Sequence, residues 1–258
     1  MKAKIGIVGC GTISLEVAKA IETRLKNKAT LTAICDVDQI KIDNFLSKIK
    51  SAPDVCSLKD LIKKSDFVVE AASAKVSADI AKKSLAANKG VLIMSVGGLL
   101  NDSGILKAVQ RSKARLYIPS GALAGLDALK AASLGKINKV TLTTRKSPES
   151  LGLSPLKEEN VVFEGAAKAA VNKFPKNINV AATLSLAGIG PKNTKVRIVA
   201  TPGLKTNIHE VEVEGDFGKF FTRTENFPSP NNPKTSYLAA LSAIATLEGA
   251  LNNIKIGT

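Results

Sequence analysis

The feature that most constrains the fold of this chain is a glycine-rich turn near the N-terminus. Residues 4–14 read KIGIVGCGTIS, a β-branched run typical of a buried parallel strand followed by two glycines. Such glycines let the backbone turn tightly and approach a pyrophosphate with no Cβ atom in the way. Apolar residues then recur at helical spacing, so the N–H groups of a helix N-terminus would point at that phosphate. The pattern predicts a dinucleotide site that includes Gly9, Cys10, Gly11, Thr12 and Ile13.

An acidic residue at the end of the second apolar run supports this interpretation. Residues 31–36 read LTAICD, which places Asp36 where a carboxylate hydrogen-bonds the adenosine ribose and repels a 2′-phosphate. The sequence therefore favours NAD over NADP, although nearby lysines such as Lys41 leave NADP open. Ser14 stands where the fingerprint has its third glycine, and its side chain is small enough to be tolerated.

Length and composition set the class of protein. With 258 residues and 45% hydrophobic residues, the chain can form one large or two medium domains. No apolar run approaches the roughly 20 residues of a membrane span, and no signal-peptide pattern precedes the first strand. The three cysteines show no C-x-x-C spacing, so neither disulfides nor a metal site is expected. We expect a cytoplasmic protein that has no membrane partner.

The net charge of +15 raises the question of nucleic-acid binding. The basic residues are mostly lysines spread along the chain, and aromatic residues make up only 4%, too few for an obvious stacking surface. The sequence therefore predicts no nucleic-acid partner. A positive field would instead favour small anionic ligands such as a dinucleotide or a dicarboxylate.

The first part of the chain repeats a strand-then-helix rhythm. Apolar runs at 67–72, 91–95 and 116–118 follow the first two strands, which predicts a Rossmann-type parallel sheet with helices on both faces. Ligands bind beyond the carboxyl ends of such strands. We therefore expect residues 1–118 to form a dinucleotide-binding domain in which the loop of Ala71, Ala72 and Ser73, and the loop at 95–98, edge the cofactor.

After Pro119 the pattern changes. Segments at 139–145, 195–200, 209–214 and 219–223 alternate with period two, which predicts a smaller α+β domain with a mainly antiparallel sheet over residues 119–232. Residues 146–159 are rich in Ser, Pro and Leu and are predicted to form a mobile loop, a candidate lid. A C-terminal helix over 233–258, capped by Asn232 with Pro233 in its first turn, is expected to return to the first domain. Its predicted apolar face contains Leu238, Leu241, Ala245 and Leu251.

His209 is the only histidine in the chain. In a strand it would share a face with Val211 and Val213, opposite three glutamates, which is typical of a histidine packed in a core. A dehydrogenase of amines or alcohols, however, needs a group that titrates near neutrality and moves a proton. Both interpretations of His209 stay open from the pattern alone.

Five blocks from residue 118 onward resemble L-aspartate dehydrogenase: residues 118–128, 162–166, 174–184, 207–218 and 228–236. The resemblance implies oxidative deamination of L-aspartate with NAD or NADP, through iminosuccinate to oxaloacetate and ammonia. It also implies a homodimer through the second-domain sheet and a possible supply of iminosuccinate to NAD biosynthesis. By the same resemblance His209 is the catalytic residue, and Ala122 and Asn179 contact the cofactor. Gly98 departs from the alanine expected at that position.

A substrate with two carboxylates requires cationic partners. Arg145, Lys146, Arg223 and Lys234 are candidates in the second domain, and for each a solvated surface charge is an equal alternative. Hydroxyl groups that could add hydrogen bonds are those of Ser120, Ser229 and Thr235.

Three alternatives remain at this point. Dihydrodipicolinate reductase has a similar two-domain plan, but its paired-histidine motif is missing from a chain with one histidine. Homoserine dehydrogenase is a weaker match. A regulator that senses NADH without turnover would need no polar catalytic group in the second domain, and no DNA-recognition helix is apparent.

Overall fold

The structure, a computed structural model, describes residues 1–174, 179–230, 232–254 and 256–257, with the side chains of 232–234 outside that description. The chain forms two compact units. The first contains Met1–Pro119 together with Ala240–Ile254, and the second contains mainly Ser120–Ala239. The functional roles assigned to the two parts of the chain remain predictions.

The first unit contains a parallel sheet whose strand order is β3-β2-β1-β4-β5-β6. Every pairing in it is parallel, which confirms the predicted Rossmann-type sheet. Because both faces are covered, the central strands are apolar runs whose Ile5, Ile7, Val68, Val69 and Leu92 are fully buried. The strands are β1 (Ala3–Val8), β2 (Ala29–Cys35), β3 (Asp54–Val55), β4 (Phe67–Glu70), β5 (Gly90–Ile93) and β6 (Leu116–Tyr117).

Helices connect these strands. Local capping sets some of their starts: the side chain of Asp38 accepts hydrogen bonds from the N–H groups of Ile40 and Lys41, and Ser57 accepts one from Asp60. The two-residue strand β3 is exposed and too short to give a recognisable pattern, so the sequence did not predict it. The helices are α1 (Thr12–Glu22), α2 (Gln39–Leu46), α3 (Leu58–Lys64), α4 (Ser77–Ala86) and α5 (Ile105–Arg111).

The second unit contains a five-stranded sheet of order β11-β10-β7-β9-β8. The pairing of β7 with β9 is parallel and the other pairings are antiparallel, so the predicted mainly antiparallel sheet is confirmed. The strands are β7 (Ile137–Lys146), β8 (Asn160–Ala166), β9 (Lys195–Ala200), β10 (Asn207–Gly215) and β11 (Gly218–Asn226). The helices are α6 (Leu126–Ala132), α7 (Ala167–Lys173) and α8 (Asn179–Ala187).

The prediction of a loop over residues 146–159 is wrong at its first residue. Lys146 is the last residue of β7 and is buried, and a short 3₁₀ turn follows at Glu149–Leu151. Strand β8, which directly follows the segment, was not predicted, because its residues are mostly exposed or half-buried and lack a clear period. The role of this segment as a lid remains a prediction.

The predicted start of the C-terminal helix is also wrong. Asn232 and Pro233 lie in strand β13 (Asn232–Ser236), which pairs with β12 (Pro228–Ser229), and helix α9 (Tyr237–Leu251) begins afterwards. Proline is tolerated here because a two-stranded ribbon has an edge where no N–H group is needed.

The apolar face predicted for α9 does not match its buried face. Leu238 and Leu241 are exposed, whereas Ala240, Ala243 and Leu247 are fully buried. A helix that is apolar on all sides gives no clear 3.6-residue period, so its buried face cannot be read from spacing. Within the first unit, Glu248 of this helix accepts a hydrogen bond from Arg24 Nε at 2.7 Å.

Candidate active site

The turn after β1 requires glycine at position 9. Gly9 has φ +93°, and an added Cβ there would lie 2.6 Å from the carbonyl oxygen of Ala71. The N–H of Gly9 donates to the carbonyl of Cys35 (2.8 Å), which ties the turn to β2. A Cβ at Gly11, in contrast, would meet no atom within 4 Å, so that position is open for a ligand to approach the backbone closely.

Helix α1 begins directly after this turn. Its cap residue is Gly11, which offers no side chain, and the first turn contains no acidic residue. Its first N–H groups therefore form a site suited to a phosphate anion. The turn and the helix start thus fit a dinucleotide pyrophosphate at Gly9, Cys10, Gly11, Thr12 and Ile13.

Asp36 lies directly against the glycine-rich turn. Its Oδ2 accepts a hydrogen bond from the Cys10 N–H (2.6 Å), and its Oδ1 accepts one from the Asp38 N–H (3.0 Å). A carboxylate has further lone pairs, so these bonds leave acceptor capacity for ribose hydroxyls. Burial, together with the charge of Asp36, raises the pKa of the Cys10 thiol to about 12. Cys10 therefore contributes its backbone to this site and its side chain stays a neutral thiol.

The loop after β4 adjoins the same turn. Ala71 donates its N–H to the carbonyl of Val8 (2.9 Å) and faces Gly9 with its own carbonyl, while Ala72 and Ser73 are exposed. The structure thus brings together the predicted cofactor residues of this unit at the carboxyl edge of the parallel sheet. The sequence did not single out Glu70, the buried last residue of β4.

Ser14 occupies the position of the third fingerprint glycine. It is fully buried in α1, and among the described residues its hydroxyl has no hydrogen-bond partner. A serine therefore fits in the space, as predicted, but it leaves a polar atom without compensation.

In the second unit, His209 lies on the covered face of the sheet. Only 4% of it is exposed, and it shares this face with the buried Val211 and Val213 as predicted. It pairs across the strands with Thr144 of β7, and the Thr144 hydroxyl oxygen lies 3.1 Å from the imidazole Nδ1. Thr144 itself is 1% exposed, so this contact is shielded from water.

The surroundings of His209 change its titration. Burial, together with the positive charge of Lys146, lowers the pKa of His209 to about 3. With this lowered pKa the imidazole is neutral at physiological pH. Lys146 lies two residues along β7 from Thr144, on the same face, and burial lowers its pKa.

The two arginine candidates lie on the other face of this sheet. Arg145 pairs across the strands with Ile208, and its guanidinium contacts the carboxylates of Glu159 (3.1 Å) and Glu210 (3.6 Å). Arg223 is held by Glu210 and by Glu225 (2.8 Å). The structure thus separates both arginines from His209, whereas the positive charge of Lys146 acts on it.

Ala122 is connected to His209 through one neighbouring residue. Thr224 of β11 pairs with His209 across the strands, and its hydroxyl donates to the Ala122 carbonyl (2.8 Å). Asn226 donates to the same carbonyl at 3.3 Å. These two residues, like Thr144, were missed by the sequence analysis, because threonines and asparagines in strands carry no distinguishing pattern.

The remaining candidates are less tightly placed. Asn179 is the first residue of α8 and is half-buried, as is Ser120. Thr235 lies half-buried in β13, Ser229 is buried in β12, and the side chain of Lys234 is outside the described residues.

In the described part of the chain there is no cluster of three or more His, Cys, Asp or Glu residues placed to hold a metal ion. Likewise, none of the helices described is both long and apolar enough for a membrane span.

Comparisons with known families divide the chain in two. Residues 9–119 match the family described as homoserine dehydrogenase, NAD binding domain, and residues 127–250 match aspartate dehydrogenase, C-terminal. The first match is to the nucleotide-binding domain of the homoserine dehydrogenase family, which was the weaker alternative in the sequence analysis.

Curated relatives match over the full length. L-aspartate dehydrogenase of Methanosarcina barkeri is 45% identical over 99% of both chains, and that of Methanothermobacter thermautotrophicus is 43% identical over 98% of both. Among solved structures, aspartate dehydrogenase of Thermotoga maritima aligns over 100% of both chains with a TM-score of 0.77 and 28% identity. A scyllo-inositol dehydrogenase of Lactobacillus casei, with a TM-score of 0.56 and 16% identity over 100% of this chain and 91% of that one, shares the fold alone. The full-length identity shows that the chain belongs to the L-aspartate dehydrogenase family.

Proposed function

We propose that this chain catalyses the NAD(P)-dependent oxidative deamination of L-aspartate to oxaloacetate and ammonia, through iminosuccinate. The observation that carries the proposal is the buried His209, held by Thr144 beside Lys146 in a unit whose relatives are L-aspartate dehydrogenases. Burial of a histidine, a hydroxyl and a lysine together costs solvation free energy that packing alone does not require.

The dinucleotide is held by the first unit in this proposal. The backbone of Gly9, Cys10, Gly11, Thr12 and Ile13 receives the pyrophosphate, and Asp36 accepts the ribose hydroxyls. When bound, the nicotinamide accepts the hydride that leaves Cα of aspartate. Because Asp36 would repel a 2′-phosphate, we expect NAD to be used better than NADP. The loop of Ala71, Ala72 and Ser73, with Ala122 and Asn179, completes the proposed contacts.

His209 moves protons in the second half of the reaction. After hydride loss and deprotonation of the amine, iminosuccinate must add water at its imine carbon and then expel ammonia. A neutral imidazole can accept a proton from the attacking water and return it to the departing nitrogen. The low pKa of the free site gives a weak base, and a substrate carboxylate that pairs with Lys146 would raise the pKa of His209.

Lys146 binds one substrate carboxylate in this account. It lies on the same sheet face as His209, whereas Arg145 and Arg223 lie on the opposite face. We therefore omit the two arginines from the substrate site. Hydroxyl and cationic partners for the second carboxylate are proposed at Ser120, Lys234 and Thr235.

The finer biological setting is also proposed. A homodimer and a supply of iminosuccinate to NAD biosynthesis follow from the resemblance described above, and a cytoplasmic location is carried over from the sequence analysis. Size-exclusion chromatography with light scattering tests the dimer directly.

The activity itself is tested by following absorbance of the reduced nicotinamide. Purified protein should oxidise NADH only when oxaloacetate and ammonium are both present, and should reduce NAD with L-aspartate. Glutamate with 2-oxoglutarate, and homoserine, are the substrate controls. NADH binding without turnover in either direction would contradict the proposed activity and favour the sensor alternative.

A further inference from the structure

Ser95, the second residue after β5, is held at both of its backbone polar groups. Its N–H donates to Oε2 of Glu70 (3.0 Å), and its carbonyl accepts a hydrogen bond from the hydroxyl of Ser77 (2.9 Å). All three residues are buried: Glu70 and Ser77 are fully buried, and Ser95 is 8% exposed. The backbone at the start of the β5 loop is thus fixed by one side chain from the end of β4 and one from the start of α4.

Glu70 holds the β4 loop with its other oxygen. Its Oε1 accepts the N–H of Ala72 (2.8 Å), and Ser73 donates its N–H to the same carboxylate. One carboxylate therefore joins the two loops that follow neighbouring parallel strands. These are the loops predicted to edge the dinucleotide, and Ala71 of the first loop contacts the Gly9 turn.

The two loops are also packed closely at Gly98. An added Cβ there would lie 2.1 Å from the carbonyl oxygen of Ala74 and 2.3 Å from the Ser77 hydroxyl. The glycine that departs from the family pattern is therefore required by the close approach of the β5 loop to Ser77. The contact leaves the loops with no space to shift towards each other.

Placing a carboxylate at this point is costly. Burial raises the pKa of Glu70, while the N–H donors of Ser95 and Ala72 act in the opposite direction. Backbone hydrogen bonds alone could fix a loop without burying an acid. The unfavourable burial of Glu70 therefore indicates that the geometry of this sheet edge has to be precise.

We propose that Glu70 and Ser77 are positioning residues that hold Ser95 and the β4 loop in the arrangement that binds the dinucleotide. The clamp of Glu70, Ser77 and Ser95 acts by preorganisation, because loops already in their bound conformation lose less entropy on binding. Its effect therefore falls on cofactor affinity rather than on the chemical step. This inference rests on the proposed function only for the identity of the cofactor.

The test measures the affinity of the full-length protein for NADH by fluorescence titration, without substrate. Glu70→Gln puts an NH₂ group against a backbone donor and should raise the dissociation constant roughly tenfold. Ser77→Ala removes the hydroxyl that donates to the Ser95 carbonyl and should raise the dissociation constant roughly threefold. With saturating cofactor, kcat and the KM for aspartate should stay within twofold of the wild-type values.

Two control variants separate positioning from general destabilisation. Ser84 lies in helix α4, as Ser77 does. Ser84→Ala removes a fully buried hydroxyl that has no hydrogen-bond partner among the described residues. Leu85→Ala removes a fully buried side chain from α4 and lowers thermal stability. Both controls should bind NADH within twofold of wild type.

The outcomes distinguish this inference from the proposed function. NADH affinity unchanged in both Glu70→Gln and Ser77→Ala would overturn the clamp, as would an equal loss of affinity in Leu85→Ala. NADH binding that responds to the clamp variants in a protein with no aspartate turnover would support the clamp and contradict the proposed activity. Wild-type protein that bound no dinucleotide would contradict both.

Discussion

The hydroxyl of Thr144 lies 3.1 Å from Nδ1 of His209, between two neighbouring strands and out of contact with water. A hydrogen bond at Nδ1 fixes the orientation of the ring, and the Thr144 hydroxyl can serve that nitrogen as donor or as acceptor. Nε2 is then the nitrogen available for chemistry. The contact therefore supports the proposal that His209 is an oriented proton carrier.

Replacing Thr144 tests this orientation. Thr144→Val keeps the shape but removes the hydroxyl, so we expect kcat to fall roughly tenfold, the equivalent of one lost hydrogen bond. Thr144→Ser keeps the hydroxyl and should retain most activity. Steady-state kinetics and NADH titration measure the effect, and equal kcat values for the valine and serine variants would contradict the assignment.

Lys146 and Arg145 provide a matched pair on one strand. Lys146→Met should raise the KM for aspartate roughly tenfold or more, because it removes the cation beside His209 while keeping the bulk of the side chain. Arg145→Met, on the opposite face, loses its ion pairs with Glu159 and Glu210, which do not involve His209, and should leave KM within twofold. The reverse order of effects would place the substrate on the other face of the sheet.

The buried histidine also predicts how stability depends on pH. In the unfolded chain a histidine titrates near pH 6.5, whereas burial and Lys146 lower the pKa of His209 to about 3 in the folded protein. Between these values the unfolded state binds a proton that the folded state does not, so the free energy of unfolding decreases as pH falls from about 6.5 to 3. Denaturant titrations of His209→Gln should show a smaller decrease over this window, and identical slopes for the two proteins would contradict the low pKa.

Ser14 offers a prediction about stability alone. Its buried hydroxyl has no partner among the described residues, and alanine is the better helix former. We expect Ser14→Ala to raise the free energy of unfolding by about 0.5 to 1 kcal/mol. Urea denaturation measures the change. A loss of stability would mean that the hydroxyl has a stabilising contact.

Much of the fold follows from local patterns. The apolar runs of the parallel sheet and the period-two strands β9 and β10 are readable because burial on both faces, or on one, leaves a periodic signal. Strand β8 lacks such a period, and Pro233 was taken for a helix start because proline favours both the first turn of a helix and an edge strand.

The site was predictable only in part. The glycines, Asp36 and His209 stand out by type and spacing, and the structure places the first two together. Thr144 and Glu70 act through contacts with residues far away in sequence, which no local pattern records. Which face of β7 meets His209 depends on strand register, and this separates Lys146 from Arg145.

The most direct test of the account compares wild-type protein with His209→Ala, with His209→Asn as a second variant if the alanine protein is unstable. Aspartate-dependent NAD reduction and NADH binding are measured on the same preparations. We predict a kcat lower by roughly 10²- to 10⁴-fold, with an NADH dissociation constant within twofold of wild type. Unchanged turnover in a folded His209 variant would contradict the central claim that this histidine carries the proton transfers.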